Sequence, residues 1–386
     1  MAGFVAPPLH VATTRKFSVF NPQDDEQATD LVTRFIALAT AHPGAPGLAA
    51  VMQLANMEAA SLGLDLVKHA LSVFIVNNPE GRKLPLPRLF EREPELLQRR
   101  KIAPSNVALD GVELFAPAAA ALGVAAHPDE TQLAWYREDP FVNEHHEHWH
   151  IVYPGRGVNG KLEDRQGELF DYMHEQMLAR YSTERVAAGL GLVVPFNNYR
   201  VAIVPGYDSG LTGYKVRPAM TPLRDLPSSP ITGLETTRDQ VNAAVEAGRF
   251  NSKTAGQTIP VTSDLLGATV EASAGSANSA QYGSLHNSGH MFIASVVGVA
   301  NQDYGVMANT ATAVMDPVFF QWHRFIDDVF FAAQQKMAPY DFPDAPKASL
   351  RHALPGVAPG TSPDIILCAA SQVPGYQDPN PSTVQH

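Results

Sequence analysis

The 386-residue chain has a single cysteine, Cys368, so it forms no internal disulfide and carries no cysteine-rich zinc module. One thiol in a chain of this length suits a reducing compartment, and a cytoplasmic location is expected. No run of eighteen apolar residues occurs, which excludes a membrane-spanning helix of ordinary length. The opening "MAGFVAPPLHVATTRK" has no basic region followed by an apolar core, so no secretory leader is expected. Basic residues are scarce as well. Against 39 Asp and Glu there are 28 Lys and Arg, and the net charge of -11 has the wrong sign for a nucleic-acid partner. No repeat of fixed period is present, and no pattern sets an oligomeric state.

With 45% apolar and 17% charged residues the chain has the material for a large core, and its length suits two or three domains. Residues 24 to 125 read as helical with short breaks. "DDEQATDLVTRFIALATA" places Leu31, Phe35 and Leu38 at helical spacing, and the nearly all-apolar "LVKHALSVFIVNN" reads as a buried helix. Four further helical stretches follow, each carrying histidine. "FVNEHHEHWHIVYP" stops at Pro154. "GELFDYMHEQMLARYSTERVAAGLG" aligns Leu169, Phe170, Met173, Met177 and Tyr181 and closes at Gly189 and Gly191. "SLHNSGHMFIASVVG" offers Ser284 as a cap, and "DPVFFQWHRFIDDVFFAAQQKM" offers Asp316 as N-cap with Pro317 in the first turn. Residues 192 to 280, rich in Gly, Pro, Ser and Thr, are too long for a plain connection and are expected to wall a pocket. The expected domains are 1–125, helical; 126–345, a histidine-rich helix bundle; and 346–386, a Pro-rich tail with one possible strand at "DIILC".

Four of the fourteen histidines fall within six positions of "NEHHEHWHIVYP". His146 and His150 stand at i and i+4, one above the other on one helix face, and His286 and His290 repeat that spacing in "HNSGH". Two imidazoles so placed reach one ion at about 2.0–2.1 Å. Each pair needs a third ligand, and His174 and His323 lie mid-helix on otherwise apolar stripes. Two sets result: His146, His150, His174 and His286, His290, His323. An all-nitrogen donor set suits copper, zinc, iron or nickel and by itself prefers none of them strongly. Ligating rings donate their other N–H to a carboxylate or carbonyl, a task expected of Asp327 or Asp328 beyond His323, with His145 also placed around the first site. Glu147, Glu175 and His148 are the candidates for moving a proton. Gly289, just before His290, leaves room for a neighbouring helix.

These stretches, together with "WYREDPFVNEHHEHWHIVYPG", "NYRVAIVPGY", "FSVFNP" and "HALSVFIVNNPEGRKLPLPRLFE", resemble the arthropod hemocyanin and prophenoloxidase superfamily of type-3 copper proteins, from about residue 17 to residue 335. The resemblance implies a mainly α fold: a helical N-terminal domain, then a four-helix-bundle metal domain. The family's C-terminal β-sandwich is expected to be missing, since about forty residues follow. It also puts the six histidines on the two metal-ligand sets, and Asn287 where phenol-oxidising relatives orient a water. Glu147 replaces a tryptophan of the usual first-site motif, and Glu175 stands where glutamine is common. No cysteine lies near a ligand to form a thioether.

Within the superfamily, the compact chain looks most like the fungal hemocyanin-like cyclopenases of quinolone alkaloid biosynthesis. That likeness implies a zinc-dependent, non-redox, ring-contracting lyase acting on a small aromatic bicyclic substrate. Such an enzyme converts a cyclopenin-type benzodiazepinedione epoxide to a viridicatin-type quinolone with loss of methyl isocyanate. The alternative is a dicopper catechol oxidase or tyrosinase.

Overall fold

Helix α1 (Pro22–Ala41) starts where Asn21 turns its side chain onto the free N–H groups of the first turn, accepting from Gln23 N at 2.9 Å and Asp24 N at 3.4 Å. The computed structural model describes residues 17–93, 96, 130–227, 229–295 and 304–338. Helices α2 (Ala45–Leu62) and α3 (Leu64–Asn77) follow, the reversal between them made by Gly63 at φ 93, a left-handed value that favours glycine. These three pack on one another around Leu31, Phe35, Val51, Ala55, Val67 and Phe74, with Ile151 from the histidine-rich helix closing the cluster. Leu31 and Phe35 are buried as their spacing predicts, and Leu38 is half-buried. The short α4 (Leu89–Arg92) lies on the far side of the helix that carries His146.

The rest comprises α5 (Ala134–Arg137), α6 (Pro140–Val152), α7 (Gln166–Ala187), α8 (Ile231–Ala247), an antiparallel pair β1 (Arg249–Asn251) and β2 (Thr258–Pro260), α9 (Ser263–Val270), α10 (Ser279–Tyr282), α11 (Leu285–Ser295) and α12 (Pro317–Gln334). A second, larger core gathers Phe170, Tyr181, Phe292, Phe320, Trp322 and Phe330 between α7, α11 and α12. Helix α6 is capped by Asp139, which accepts from Phe141 N at 2.7 Å, with Pro140 in the first turn. Helix α12 starts as predicted on Asp316, which accepts from Val318 N at 3.0 Å and pairs with buried Arg217. Gly189, at φ 73, ends α7 with Leu190 N donating to Arg185 O at 2.8 Å.

Helices α7 and α9 touch backbone to backbone. A Cβ on Gly167 would lie 1.9 Å from Asp264 O, and one on Gly267 would lie 2.1 Å from Gly167 O, so neither position accepts a side chain. This contact matters for function because the residue that caps α9 is Glu271.

Two expectations are corrected. Residues 192 to 280 contain a 17-residue helix, α8, whose Ile231, Leu234, Val241, Ala244 and Val245 are buried at helical spacing. Its threonines and glycine hid that period. Ser284 does not cap α11, for its buried Oγ has no hydrogen-bond partner. The 125/126 boundary, the tail 346–386, "DIILC" and Cys368 lie outside the described residues. Among the described residues no helix is long and apolar enough to cross a membrane.

Candidate metal centre

Helix α6 turns His146 and His150 inward, α7 contributes His174, α11 His286 and His290, and α12 His323. None of these six side chains is more than 5% exposed. Ring centroids lie 4.9 Å apart for His146–His150, 4.6 Å for His286–His290 and 4.4 Å for His174–His323, the last pair nearly parallel. His174–His323 already joins the two expected sets, and His174–His286 at 5.4 Å and His146–His290 at 6.4 Å also span them. Burial pushes all six imidazoles below their ordinary range, His146 to about 4, so each is neutral at pH 7 and keeps a lone pair for a ligand.

Which nitrogen holds that lone pair follows from the acceptors around the rings. His146 Nδ1 faces Thr310 O at 2.7 Å, His174 Nδ1 faces Phe170 O at 2.8 Å, His290 Nδ1 faces Met307 O at 2.9 Å and His323 Nδ1 faces Phe319 O at 2.7 Å. A carbonyl only accepts, so each of these Nδ1 atoms carries the proton and each Nε2 is bare. His286 Nδ1 faces Asn287 Oδ1 at 2.8 Å, while Asn287 Nδ2 donates to Glu271 O at 3.2 Å and thereby fixes which way the amide points. The Nε2 atoms of His146, His150, His174 and His290 are buried with no hydrogen-bond partner. Those of His286 and His323 face each other at 3.1 Å, two lone pairs that only a shared cation or proton reconciles. This donor set fits a metal of imidazole preference, zinc or copper.

The first trio converges as the spacing predicts, with nitrogens of His146, His150 and His174 within 4.8 Å of one another. The second close set differs from expectation: it is His174, His286 and His323. The parallel rings of His174 and His323 bring His174 to both sets. His290 stands beside them, its ring face covered by Phe20 at 3.9 Å.

Most of the predicted auxiliary residues face elsewhere. Glu147 sits about 100° around α6 from His146 and is locked in a buried two-point pair with Arg92, at 2.8 and 2.5 Å. Glu175 is exposed on α7, and His145 is exposed on α6. His148 points away from the centre, beside Glu144, although its Nε2 is buried and unpartnered. Asp327 and Asp328 pair with Arg324 at 3.5 and 2.6 Å, and His323 takes its orienting bond from its own helix instead. Asn287 alone among these auxiliaries touches a ligand ring.

Sequence reasoning missed the one acid at the centre. Glu271 is 3% exposed, and its Oε1 lies 3.8 Å from His150 Nδ1, a charge-range rather than a hydrogen-bond distance. Its Oε2 has no partner, and burial pushes the carboxyl up to about 8, so it carries a proton at neutral pH. Glu271 is followed by Ala272 at φ 53, a strained value for a residue with a Cβ. Nothing in "VEASAGS" marks it; the α7–α9 contact, the bond of Ala274 N to Gly155 O at 2.8 Å and that of Asn287 Nδ2 to Glu271 O bring it to His150. The aromatic wall also comes from outside 192–280, where it was expected. Phe20 covers His290 and also flanks His150 at 5.4 Å, Phe170 flanks His286 at 4.9 Å, and Phe319 flanks His323 at 3.9 Å.

Comparison with known proteins agrees with this geometry. Residues 105–330 match the hemocyanin copper-containing domain. Hemocyanin C chain of Aphonopelma sp. is 36% identical over 299 residues, 71% of this chain and 47% of that one. The solved hemolymph-type prophenoloxidase from a crustacean superposes with a TM-score of 0.69 at 26% identity, covering 86% of this chain and 54% of that one. The structure of AsqI with Zn shares the fold, with a TM-score of 0.63 at 23% identity, over 85% of this chain and 56% of that one. The chain spans about half the length of the curated relatives it matches. With a matched domain that spans more than half its length and six imidazoles brought together by four helices, the chain belongs to the hemocyanin and prophenoloxidase superfamily.

Proposed function

We propose that the chain is a zinc-dependent, non-redox enzyme of the cyclopenase type. On this reading it contracts a cyclopenin-type benzodiazepinedione epoxide to a viridicatin-type quinolone and releases methyl isocyanate, which breaks down to carbon dioxide and methylamine. The observation that carries the reading is a buried carboxyl, Glu271, which burial holds protonated 3.8 Å from His150 Nδ1, at the edge of a cluster of six buried, neutral imidazoles. The resemblance to the cyclopenases supplies the substrate class.

His146, His150 and His174 would hold the ion, with His286 and His323 as further donors around the shared His174 and His290 beside them. A zinc ion there supplies Lewis-acid polarisation of an amide carbonyl or epoxide oxygen. The chain's own groups do the rest. Backbone carbonyls and Asn287 keep the Nδ1 protons of His146, His174, His286, His290 and His323 in place, so these five rings do not turn their N–H toward the substrate. Phe20, Phe170 and Phe319 pack their rings against the imidazoles and would offer faces and edges to a neutral bicyclic aromatic. The Glu271 carboxyl lends its proton to the epoxide oxygen as the ring opens and recovers one before the next turnover, a role matched by a pKa near the working pH. Anaerobic incubation with a cyclopenin-type substrate is expected to give quinolone and methylamine in equal amounts. If no quinolone forms, the lyase reading falls.

Dicopper phenol oxidation is the second reading, favoured by the number of imidazoles, since one catalytic zinc needs three. Elemental analysis separates the two. About one zinc per chain supports the lyase, and two coppers with oxygen uptake on catechols support the oxidase.

A further inference from the structure

The imidazoles are oriented in two different ways. His174 and His323 each donate to the carbonyl one turn earlier in their own helix, so their orientation comes with the helix. His146 and His290 stand on different helices, α6 and α11, yet both donate to one short segment, through Thr310 O and Met307 O. That segment, residues 304–312, is no helix of ordinary length, and its shape depends on what holds it. Gly305 N donates to Ala294 O at 2.9 Å, and Lys215 N donates to Tyr304 O at 3.0 Å. Between the two critical carbonyls, Asn309 Nδ2 donates to Tyr214 OH at 2.8 Å, while Asn309 Oδ1 accepts from Ala311 N at 2.8 Å and so fixes the amide.

The geometry points to Asn309 and Tyr214 as positioning residues that tie the two halves of the metal centre together. The bond between them sets the place of both carbonyls at once, so His146 and His290 turn together or not at all. This inference rests on the reading of the histidines as metal ligands and assigns them a common support, distinct from the helices that carry them.

The test uses the full chain loaded with Zn2+ and labelled with 15N-histidine, in four forms: parent, Tyr214→Phe, Asn309→Ala and the double variant. Tyr214→Phe removes the acceptor of the bond, and Asn309→Ala removes its donor together with the Oδ1 that accepts from Ala311 N. Two readouts are taken: the Nδ1–H signal of each histidine ring, and Zn2+ affinity by competition with a chelator. The His146 and His290 signals are expected to shift and exchange faster together, those of His174 and His323 to stay in place, and Zn2+ affinity to fall about tenfold. The double variant should be no worse than Asn309→Ala alone, as two ends of one interaction require. Movement of all four signals, of none, or of only one of the His146 and His290 pair would overturn the inference. Should Tyr214→Phe not fold, Asn309→Ala carries the test by the same criteria. A parent chain that binds no Zn2+ removes the metal reading and this inference with it, whereas a zinc-binding parent with unmoved variants removes this inference alone.

Discussion

Gly289→Ala puts one methyl group where α11 crosses α12. In isolation the change favours the helix by about 1 kcal/mol, because alanine is the better helix former. In this structure the added Cβ would lie 2.0, 2.3 and 2.5 Å from three atoms of the Trp322 indole. An ordinary carbon–carbon contact is about 3.5–4.0 Å, so the indole has to retreat by ~1.5 Å or more. Trp322 is fully buried and wedged against Phe325 and Tyr199, with ring centroids at 5.3 and 6.0 Å. Overpacking of this kind costs about 1–3 kcal/mol, and with a whole ring in the way the upper end applies. The clash outweighs the propensity gain and leaves a net loss of about 2 kcal/mol. That corresponds to a melting temperature lower by about 4–8 °C for a unit of this size, or somewhat less. Trp322 adjoins His323, so the displaced indole also moves a ligand ring, and Zn2+ affinity falls with stability. The assays are thermal unfolding of the metal-free and zinc-loaded chain and chelator competition. Adding Trp322→Phe to Gly289→Ala recovers part of the loss if the clash is the cause. An unchanged or raised melting temperature for Gly289→Ala alone refutes the argument.

Glu271→Gln keeps bound metal but lowers turnover by about 10²–10⁴-fold, measured under saturating zinc; a fully active variant removes Glu271 from proton transfer. Arg92→Ala leaves the Glu147 charge buried and unpaired and costs about 3–5 kcal/mol in urea unfolding. Glu147→Gln, by contrast, leaves kcat unchanged; a selective kcat loss would restore Glu147 to the mechanism. Stability of the metal-free chain falls steeply as pH drops below 6.5, because six imidazoles held below that value in the fold must take up protons on unfolding. On the other side, Glu271 and Asp171, both raised to about 8, stay protonated in the fold and ionise when unfolded, so stability also declines as pH rises from the ordinary carboxylate range to 8. The imidazole contribution is common to parent and variant, so the difference between their melting-temperature series isolates Glu271, and Glu271→Gln removes about half of the decline due to the two carboxyls.

The histidine pairs were legible because helical spacing is a local property: i and i+4 share a face whatever the rest of the chain does, and the shared faces of His146/His150 and His286/His290 needed no further information. The same local rules placed the Asp316 cap, the Leu31–Phe35 stripe and the glycine end of α7, and Gly289 announced a close crossing before Trp322 was known to fill it. Acids were another matter. Glu147 and Glu175 looked catalytic because they adjoin ligands in the chain, yet neighbours in sequence diverge by about 100° on a helix, and one found Arg92 while the other faces solvent. The acid that reached His150 came from the end of another helix, carried there by two glycines that let α7 and α9 touch. Phe20 and the carbonyls of Met307 and Thr310 arrived in the same way, across long stretches of chain. Ligand spacing was thus written in the sequence, whereas the groups that orient the rings, cover them and hold a proton beside them were decided by packing, since contacts between distant segments have no local period to betray them.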